Sequence, residues 1–211
     1  MSPEDYVERE ADLFCPVPNY NSLLADAERE ETSLGDVFNR MAPLHDGYVL
    51  HSPSSDFAQM LAYLESVMPC GSLIVDAGCG TGLHLGYLAQ KIRSHFIGYD
   101  SSENMIRYAN ERKSRLHLDN VEFHVNAHED FPNATISEGS ADCIYSLYSI
   151  PDFQKTVDIF SRLLRRRGKL IIDLYKNDVF EKEKILFDRG FEKIGDRRFP
   201  TRPPLAAFEK Y

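Results

Sequence analysis

Residues Val75–Leu83 read VDAGCGTGL, the end of an apolar run followed by three glycines at alternate positions. The apolar run before it, Ser72–Asp76 (SLIVD), ends at an acid and is expected to be a buried strand. Gly78, Gly80 and Gly82 then turn the chain into a helix over Gly82–Lys91, supported by Leu83, Leu85, Leu88 and Ala89. Glycine accepts backbone angles that other residues avoid, and it lets a bound molecule approach the main chain. A helix start offers N–H groups and a positive dipole end to an anionic group. The spacing is G-x-G-x-G. The dinucleotide fingerprint G-x-G-x-x-G needs a glycine where Leu83 stands, and the Gly-Lys-Ser/Thr of a phosphate-cradling loop is absent.

Outward from this turn, short apolar runs alternate with helical patterns. Strands are expected at His95–Asp100, Val121–Val125, Asp142–Ser146 and Gly168–Tyr175. Helices are expected at Ser102–Leu116, capped by Ser101 or Ser102, at Phe153–Leu164, and at Asp178–Phe187 before Gly190. Phe191–Arg197 and Ala206–Tyr211 flank a turn with Pro200, Pro203 and Pro204 and read as an antiparallel hairpin. The expected fold is α/β: a Rossmann-like, doubly wound, mainly parallel sheet with that hairpin at one edge. Ligands of such sheets bind at the carboxyl ends of the strands.

The N-terminal part differs. Residues 1–68 hold 13 acidic and 3 basic residues, while residues 69–211 hold 20 and 21. The net charge of −9 therefore belongs to the head. Helices are expected at Pro3–Leu13, Ser22–Glu31, Asp36–Ala42 and Asp56–Val67, with Ser2, Thr32–Ser33 and Ser54–Ser55 near their starts. Cys15–Tyr20 and Ala42–Ser55 read as loops. Residues 1–55 are taken as a helical cap or lid, too short and charged to own a large core, and residues 56–211 as the main domain.

Composition excludes several classes. No apolar run approaches the roughly 20 residues of a membrane-spanning helix. MSPEDYVERE is acidic and lacks an apolar signal core, so a cytoplasmic protein is expected. An acidic chain is poorly suited to non-specific phosphate contacts, so no nucleic-acid partner is expected. Cys15, Cys70, Cys79 and Cys143 are scattered, which suits a reducing compartment and not a zinc ribbon or a disulfide framework.

Asp100 lies 24 residues after Asp76, at the end of the second expected strand. A carboxylate there accepts both hydroxyl hydrogens of a ribose. The glycine turn and this acid together point to an adenosine-type ligand. VDAGCGTG followed by GYDSSENMIRYA resembles the class I S-adenosylmethionine-dependent methyltransferases over about residues 71–175. The resemblance implies a seven-stranded sheet with one antiparallel strand. It implies that Asp76, Gly78, Cys79, Gly80 and Gly82 surround the methionine part of S-adenosylmethionine. Asp100 would hold the ribose, with Ser101 and Met105 beside the adenine. Family members often read Gly-Asp-Ala after the third strand, where this chain reads Asn126-Ala127-His128, so Ala127 takes the place of an adenine-binding acid. That contact then falls to backbone groups, Asn126 or His128.

Methyl transfer from a sulfonium is an in-line displacement, in which alignment does most of the work. Some acceptors must also lose a proton to a positioned base. Ser146-Leu147-Tyr148-Ser149 follows the fourth strand, with Ser146 at the methionine moiety and Tyr148 facing the acceptor. By resemblance, this segment lacks the Pro-Pro of nucleobase amine methyltransferases and the Pro-Cys of cytosine-carbon enzymes. Carboxylates placed for a metal are also missing. Asn39–Tyr48 resembles the segment that folds over the cofactor in small-molecule methyltransferases. It offers His45 as a candidate base beside Tyr148, and Tyr48 as a substrate contact. No histidine shows metal-ligand spacing. Asp142 reads as structural, Cys79 as a small filler, and Arg162–Lys169 as a solvated helix end.

The expected function is methyl transfer to a small-molecule acceptor, with S-adenosylhomocysteine as product. Two alternatives are weighed against it: a non-catalytic S-adenosylmethionine-binding module, and a nicotinamide-dependent oxidoreductase, which needs G-x-G-x-x-G and a second domain. The acidic head has two readings, solubility of an exposed cap or attraction of a cationic or amine-bearing acceptor.

Overall fold

The computed structural model describes residues 1–31, 33–52, 56–126, 136–147, 150, 152–174, 179–199 and 204–211. Within them the apolar runs form β1 (Leu73–Ala77), β2 (His95–Asp100), β3 (Val121–Val125), β4 (Ala141–Ser146), β5 (Leu164–Asp173), β6 (Phe191–Arg197) and β7 (Leu205–Lys210). They make one seven-stranded sheet in the order β3-β2-β1-β4-β5-β7-β6. Only β7 runs against its neighbours, pairing antiparallel with β5 and β6. The expected doubly wound sheet with its C-terminal antiparallel strands is thus present. Val75 of β1 sits between Ile97 of β2 and Ile144 of β4. The chain winds from β1 toward β3 and from β4 toward β7, so the crevice opens beyond the carboxyl ends of β1 and β4.

Side chains alternate across the sheet. Ile74, Cys143, Tyr145 and Ile171 pack with α4 (Phe57–Val67), α5 (Leu83–Lys91) and α6 (Glu103–Leu116). Val75, Ile144, Leu170 and Ile172 pack on the other face with α7 (Phe153–Leu163) and α8 (Val179–Phe187). Both faces of β1, of β4 from Cys143 and of β5 from Leu170 are therefore dry, and their apolar runs follow from that.

The N-terminal helices α1 (Pro3–Ala11) and α3 (Leu34–His51) lie on the face of α4–α6, and α2 (Tyr20–Glu30) packs on α3. Ser2 caps α1 in a reciprocal box with Asp5, and Ser33 caps α3 through Asp36. The loop expected from Ala42 is instead the second half of α3, which continues through Pro43 to His51. Proline in a helix leaves the carbonyl four residues back without its donor. That carbonyl belongs to Asn39, and Asn104 Nδ2 donates to it at 3.0 Å. Arg165, Arg166 and Arg167 lie in β5, not at a helix end. The β4–β5 register shifts there, and Arg167 takes φ 61°. Arg165 pairs with Asp142, whose other oxygen accepts from Leu73 N at 2.8 Å, so Asp142 ties two strands together.

Candidate functional site

The crevice is built by the turn after β1. Gly78, Gly80 and Gly82 have φ 87°, 52° and 69°, which L side chains seldom adopt. The main-chain N–H groups of Gly78 and Cys79 both donate to Tyr99 O at 2.8 Å, which hangs the turn from the end of β2. Gly80 N donates to Asp100 Oδ2 at 2.9 Å, and Ser102 N donates to Asp100 Oδ1 at 2.9 Å. Two backbone groups therefore orient this carboxylate. Ser102, not Ser101, caps α6 by accepting from Met105 N, which brings Met105 Sδ to the turn near Gly80. The carbonyl of Ser101 lies against Gly35 of α3. Asn126 N donates to Asp100 O at 2.8 Å, beside the same acid.

The other residues named from the sequence take distinct places. Asp76 is buried and accepts from Tyr145 Oη at 2.7 Å. Burial pushes its carboxyl up to about 8 against that hydrogen bond, and the Asp100 charge adds to the rise. Cys79 points into the sheet toward Gly98, and burial pushes its thiol well above the usual range, so it is no nucleophile. A Cβ on Gly82 would lie 2.7 Å from Phe123 Cζ and 3.2 Å from Ala109 Cβ, so this glycine serves helix–strand packing. Ser146 is buried and donates to Ala77 O at 2.8 Å, locking the ends of β4 and β1 together. Tyr48 stacks on Tyr20 with ring centroids 4.2 Å apart, within the α2–α3 cluster and away from the turn. Ala127, His128 and Tyr148 lie outside the described residues.

His45 is brought to the turn. Its Cε1 and Nε2 lie 3.8 and 3.9 Å from where a Gly80 Cβ would sit. A cleft there is lined by His45, Val49, Phe57, Gly80, Leu83 and His84. His45 Nδ1 is 3.0 Å from Asp46 Oδ1. Asp46 also accepts from Thr81 Oγ1 at 2.6 Å and from Arg112 Nη2 at 2.6 Å. Burial opposes ionisation of Asp46, but the Arg112 charge and the hydrogen bonds from His45 and Arg112 overcome it. The carboxyl is held well below the usual carboxylate range.

Sequence reading missed this cluster of Asp46, Thr81, Arg112 and Glu10. Arg112 is 4% exposed, and its Nε donates to Glu10 Oε2 at 3.2 Å while Nη1 donates to Thr81 O. Arg115 adds a second pair to Glu10 at 2.6 Å. Two acids of the head are thus buried partners of α6 and not solvated charges. A signal existed: Met105, Ala109 and Arg112 share one face of α6, so the apolar stripe carries Arg112 inward.

Among the described residues, no group of three or more His, Cys, Asp or Glu could hold a metal ion, and no helix is long and apolar enough to cross a membrane.

A family model described as "Methyltransferase domain" matches residues 71–192. Phosphoethanolamine N-methyltransferase 1 of Arabidopsis thaliana is 33% identical over 129 residues, covering 58% of this chain and 26% of that protein. Demethylmenaquinone methyltransferase of Listeria monocytogenes is 27% identical over 153 residues, covering 68% and 62%. An uncharacterized 37.1 kDa protein in transposon TN4556 of Streptomyces fradiae is 31% identical over 173 residues, covering 75% and 47%. The chain thus spans from about a quarter to about three fifths of the length of these relatives. Among solved structures, a SAM-dependent methyltransferase from Aquifex aeolicus superposes with a TM-score of 0.62 at 19% identity, covering 71% of this chain and 88% of that one. The [4+2]-cyclase SpnF superposes with 0.71 at 14% identity, covering 84% and 94%. With its family match spanning more than half its length and enclosing the glycine turn, Asp100 and five of the seven strands, this chain belongs to the methyltransferase domain family.

Proposed function

We propose that the chain is an S-adenosylmethionine-dependent methyltransferase acting on a small-molecule acceptor, with S-adenosylhomocysteine as the product. The observation that carries this reading is the bond from Gly80 N to Asp100 Oδ2, which joins the side-chain-free turn to an oriented carboxylate. The residues present fit the cofactor. Asp100 accepts ribose hydroxyl hydrogens, and Ser101 and Met105 stand beside the adenine. Gly78 and Gly80 leave room along the methionine chain. Asp76, a buried carboxyl, offers a partner for its ammonium group. Ala127 and His128 are assigned to the adenine side, and Tyr148 to the acceptor side, by family resemblance alone. When bound, the cofactor supplies an electrophilic methyl group.

Residues 1–55 serve as the lid over this site, through α3. The named relatives act on phosphoethanolamine and on a demethylmenaquinone, which supports a small acceptor. The acidic excess of residues 1–68 supports an amine-bearing one. Net charge −9 supports a reading without nucleic acid, and the scattered cysteines support a cytoplasmic setting.

Fold alone does not name a reaction. A cyclase has the same fold, so cofactor binding without methyl transfer is the second reading. Calorimetry with S-adenosylmethionine and S-adenosylhomocysteine, followed by transfer of labelled methyl to small amines, phosphoethanolamine and quinols, separates the two. Binding with turnover is expected. Binding without turnover across the panel favours the second reading, and no binding removes both.

A further inference from the structure

Asp46 is a buried carboxylate held by three side chains, and one of them is His45, whose ring lies against Gly80 of the glycine turn. Its oxygens accept from three side chains: His45 Nδ1 at 3.0 Å, Thr81 Oγ1 at 2.6 Å and Arg112 Nη2 at 2.6 Å. It is 3% exposed. An ionised carboxylate accepts hydrogen bonds and donates none. Its neighbour at Nδ1 must therefore carry the proton on that nitrogen. The neutral ring then has its lone pair on Nε2, and the Cε1–Nε2 edge is the part of the ring that lies against Gly80.

We infer that Asp46 is a positioning residue, which holds His45 as the Nδ1–H tautomer so that Nε2 takes the proton of an acceptor bearing an O–H or N–H group. This rests on the methyltransferase reading and deepens it, because it selects the acceptor chemistry. An acceptor that is already a strong nucleophile without a proton to lose has no use for such a base. For a hydroxyl acceptor, the C–O bond forms as the C–S bond of the sulfonium breaks. The hydroxyl proton passes to Nε2. The sulfonium's positive charge ends on the imidazolium, next to Asp46.

Charged groups approach this pair from α1 and α6. Asp46 lies on the same helix, and Arg112 approaches from α6. Glu10 of α1 meets the far side of Arg112, so the guanidinium is shared between two carboxylates and Asp46 is not fully neutralised by it. His84 of α5 lines the same cleft, and Asp100 holds the other side of Gly80. Thr81 has a further part. It is the residue after Gly80, so its hydroxyl registers the dyad against the turn itself.

Asp46→Asn gives a sharp test. Arg112 can only donate, so it takes the oxygen of the new amide. The amide nitrogen then occupies the place of Oδ1 and offers N–H to His45 Nδ1. That nitrogen must now accept, so its proton moves to Nε2 and the ring can no longer receive one there. Nitrogen-15 NMR of the imidazoles reads this directly, with His45 assigned by its loss in His45→Gln among the seven histidines. The native protein is expected to show Nδ1–H at neutral His45, and Asp46→Asn to show Nε2–H. Turnover with an amine or phenol acceptor is expected to fall at least 100-fold in Asp46→Asn, while S-adenosylhomocysteine affinity changes less than threefold. A native protein with Nε2–H at His45 overturns the proposal without any variant having to fold. So does unchanged turnover in a folded Asp46→Asn. If the native protein binds no S-adenosylhomocysteine, the methyltransferase reading fails instead, and the tautomer result still stands.

Discussion

Asn104 donates its side-chain amide to the main-chain carbonyl of Asn39 at 3.0 Å, across 65 residues of sequence. That carbonyl is the one Pro43 deprives of a helical donor. Asn39 answers with its side chain, which accepts from Asn104 N at 3.0 Å and Ser102 Oγ at 2.8 Å. The proline break in α3 is thus mended by the first turn of α6, directly after Asp100. A defect in one helix has become the joint that fixes the N-terminal helices to the glycine turn.

Replacing Asn104 by Ala leaves the Asn39 carbonyl without its donor. The expected loss is about 1 kcal/mol, the net worth of one hydrogen bond at a partly buried site. Urea denaturation measures it. Limited proteolysis is expected to cut α3 faster in this variant than in the parent, since the joint and not the core has been weakened.

Arg112→Met strips both Glu10 and Asp46 of a buried partner. Breaking such a pair by removing one member costs about 3–5 kcal/mol. Both acids have folded values below their unfolded ones: burial opposes this, and the Arg112 and Arg115 contacts outweigh it. Their contribution is therefore present above about pH 4–5, the unfolded carboxylate range, and is lost as pH falls through the depressed folded values. The parent is expected to lose stability in acid more steeply than Arg112→Met, whose acids have little left to lose. Melting temperatures from pH 3 to 7 check this.

The bounds of β2, β3 and β6 were legible because each is a short apolar or alternating run between turn residues. The glycine turn and Asp100 were legible because their demands are local: positive φ, and a strand ending in an acid. The second half of α3 was not. Pro43 and Gly47 argue for a loop, and the contacts that overrule them, Asn104 on Asn39 and Arg112 on Asp46, come from more than 60 residues away. The basic run was misplaced for a related reason. A register shift with Arg167 in a left-handed conformation extends β5 backward through charged residues, which no apolar pattern announces. Tyr48 and His45 are three residues apart on α3, and long-range contacts separate them: Tyr48 stacks on Tyr20, while His45 follows Asp46, which Thr81 and Arg112 hold.

Gly80 and Gly82 separate binding from folding. Both have positive φ, which costs an L residue about 1–2 kcal/mol. Among the described residues a Cβ at Gly80 has its nearest neighbour, His45 Cε1, at 3.8 Å, whereas one at Gly82 meets Phe123 at 2.7 Å. Gly82→Ala is expected to be the less stable variant by denaturation. Gly80→Ala is expected to fold and to weaken S-adenosylhomocysteine binding at least tenfold, read by calorimetry. Equal stability of the two variants would contradict the packing role given to Gly82.

Asp76 works against stability as pH rises. Burial pushes its carboxyl up to about 8, far above the unfolded value of about 3.9. Between those two values the folded state binds the proton more readily than the unfolded state does, so this group's support of the fold is complete below about pH 4 and is lost as pH rises to about 8. Asp76→Asn removes the ionisation and keeps an oxygen to accept from Tyr145 Oη. The variant is expected to match the parent near pH 4 and to exceed it by a few kcal/mol at pH 8, on the order set by a buried carboxylate's shift. In the cofactor reading proposed above, the ammonium group draws this carboxyl into its ionised form, so Asp76→Asn is expected to weaken S-adenosylmethionine binding even as the fold gains. Urea midpoints at pH 4.5, 6 and 8 with calorimetry at pH 8 give both signs. A stability difference that does not grow with pH would show that Asp76 is already ionised in the folded protein.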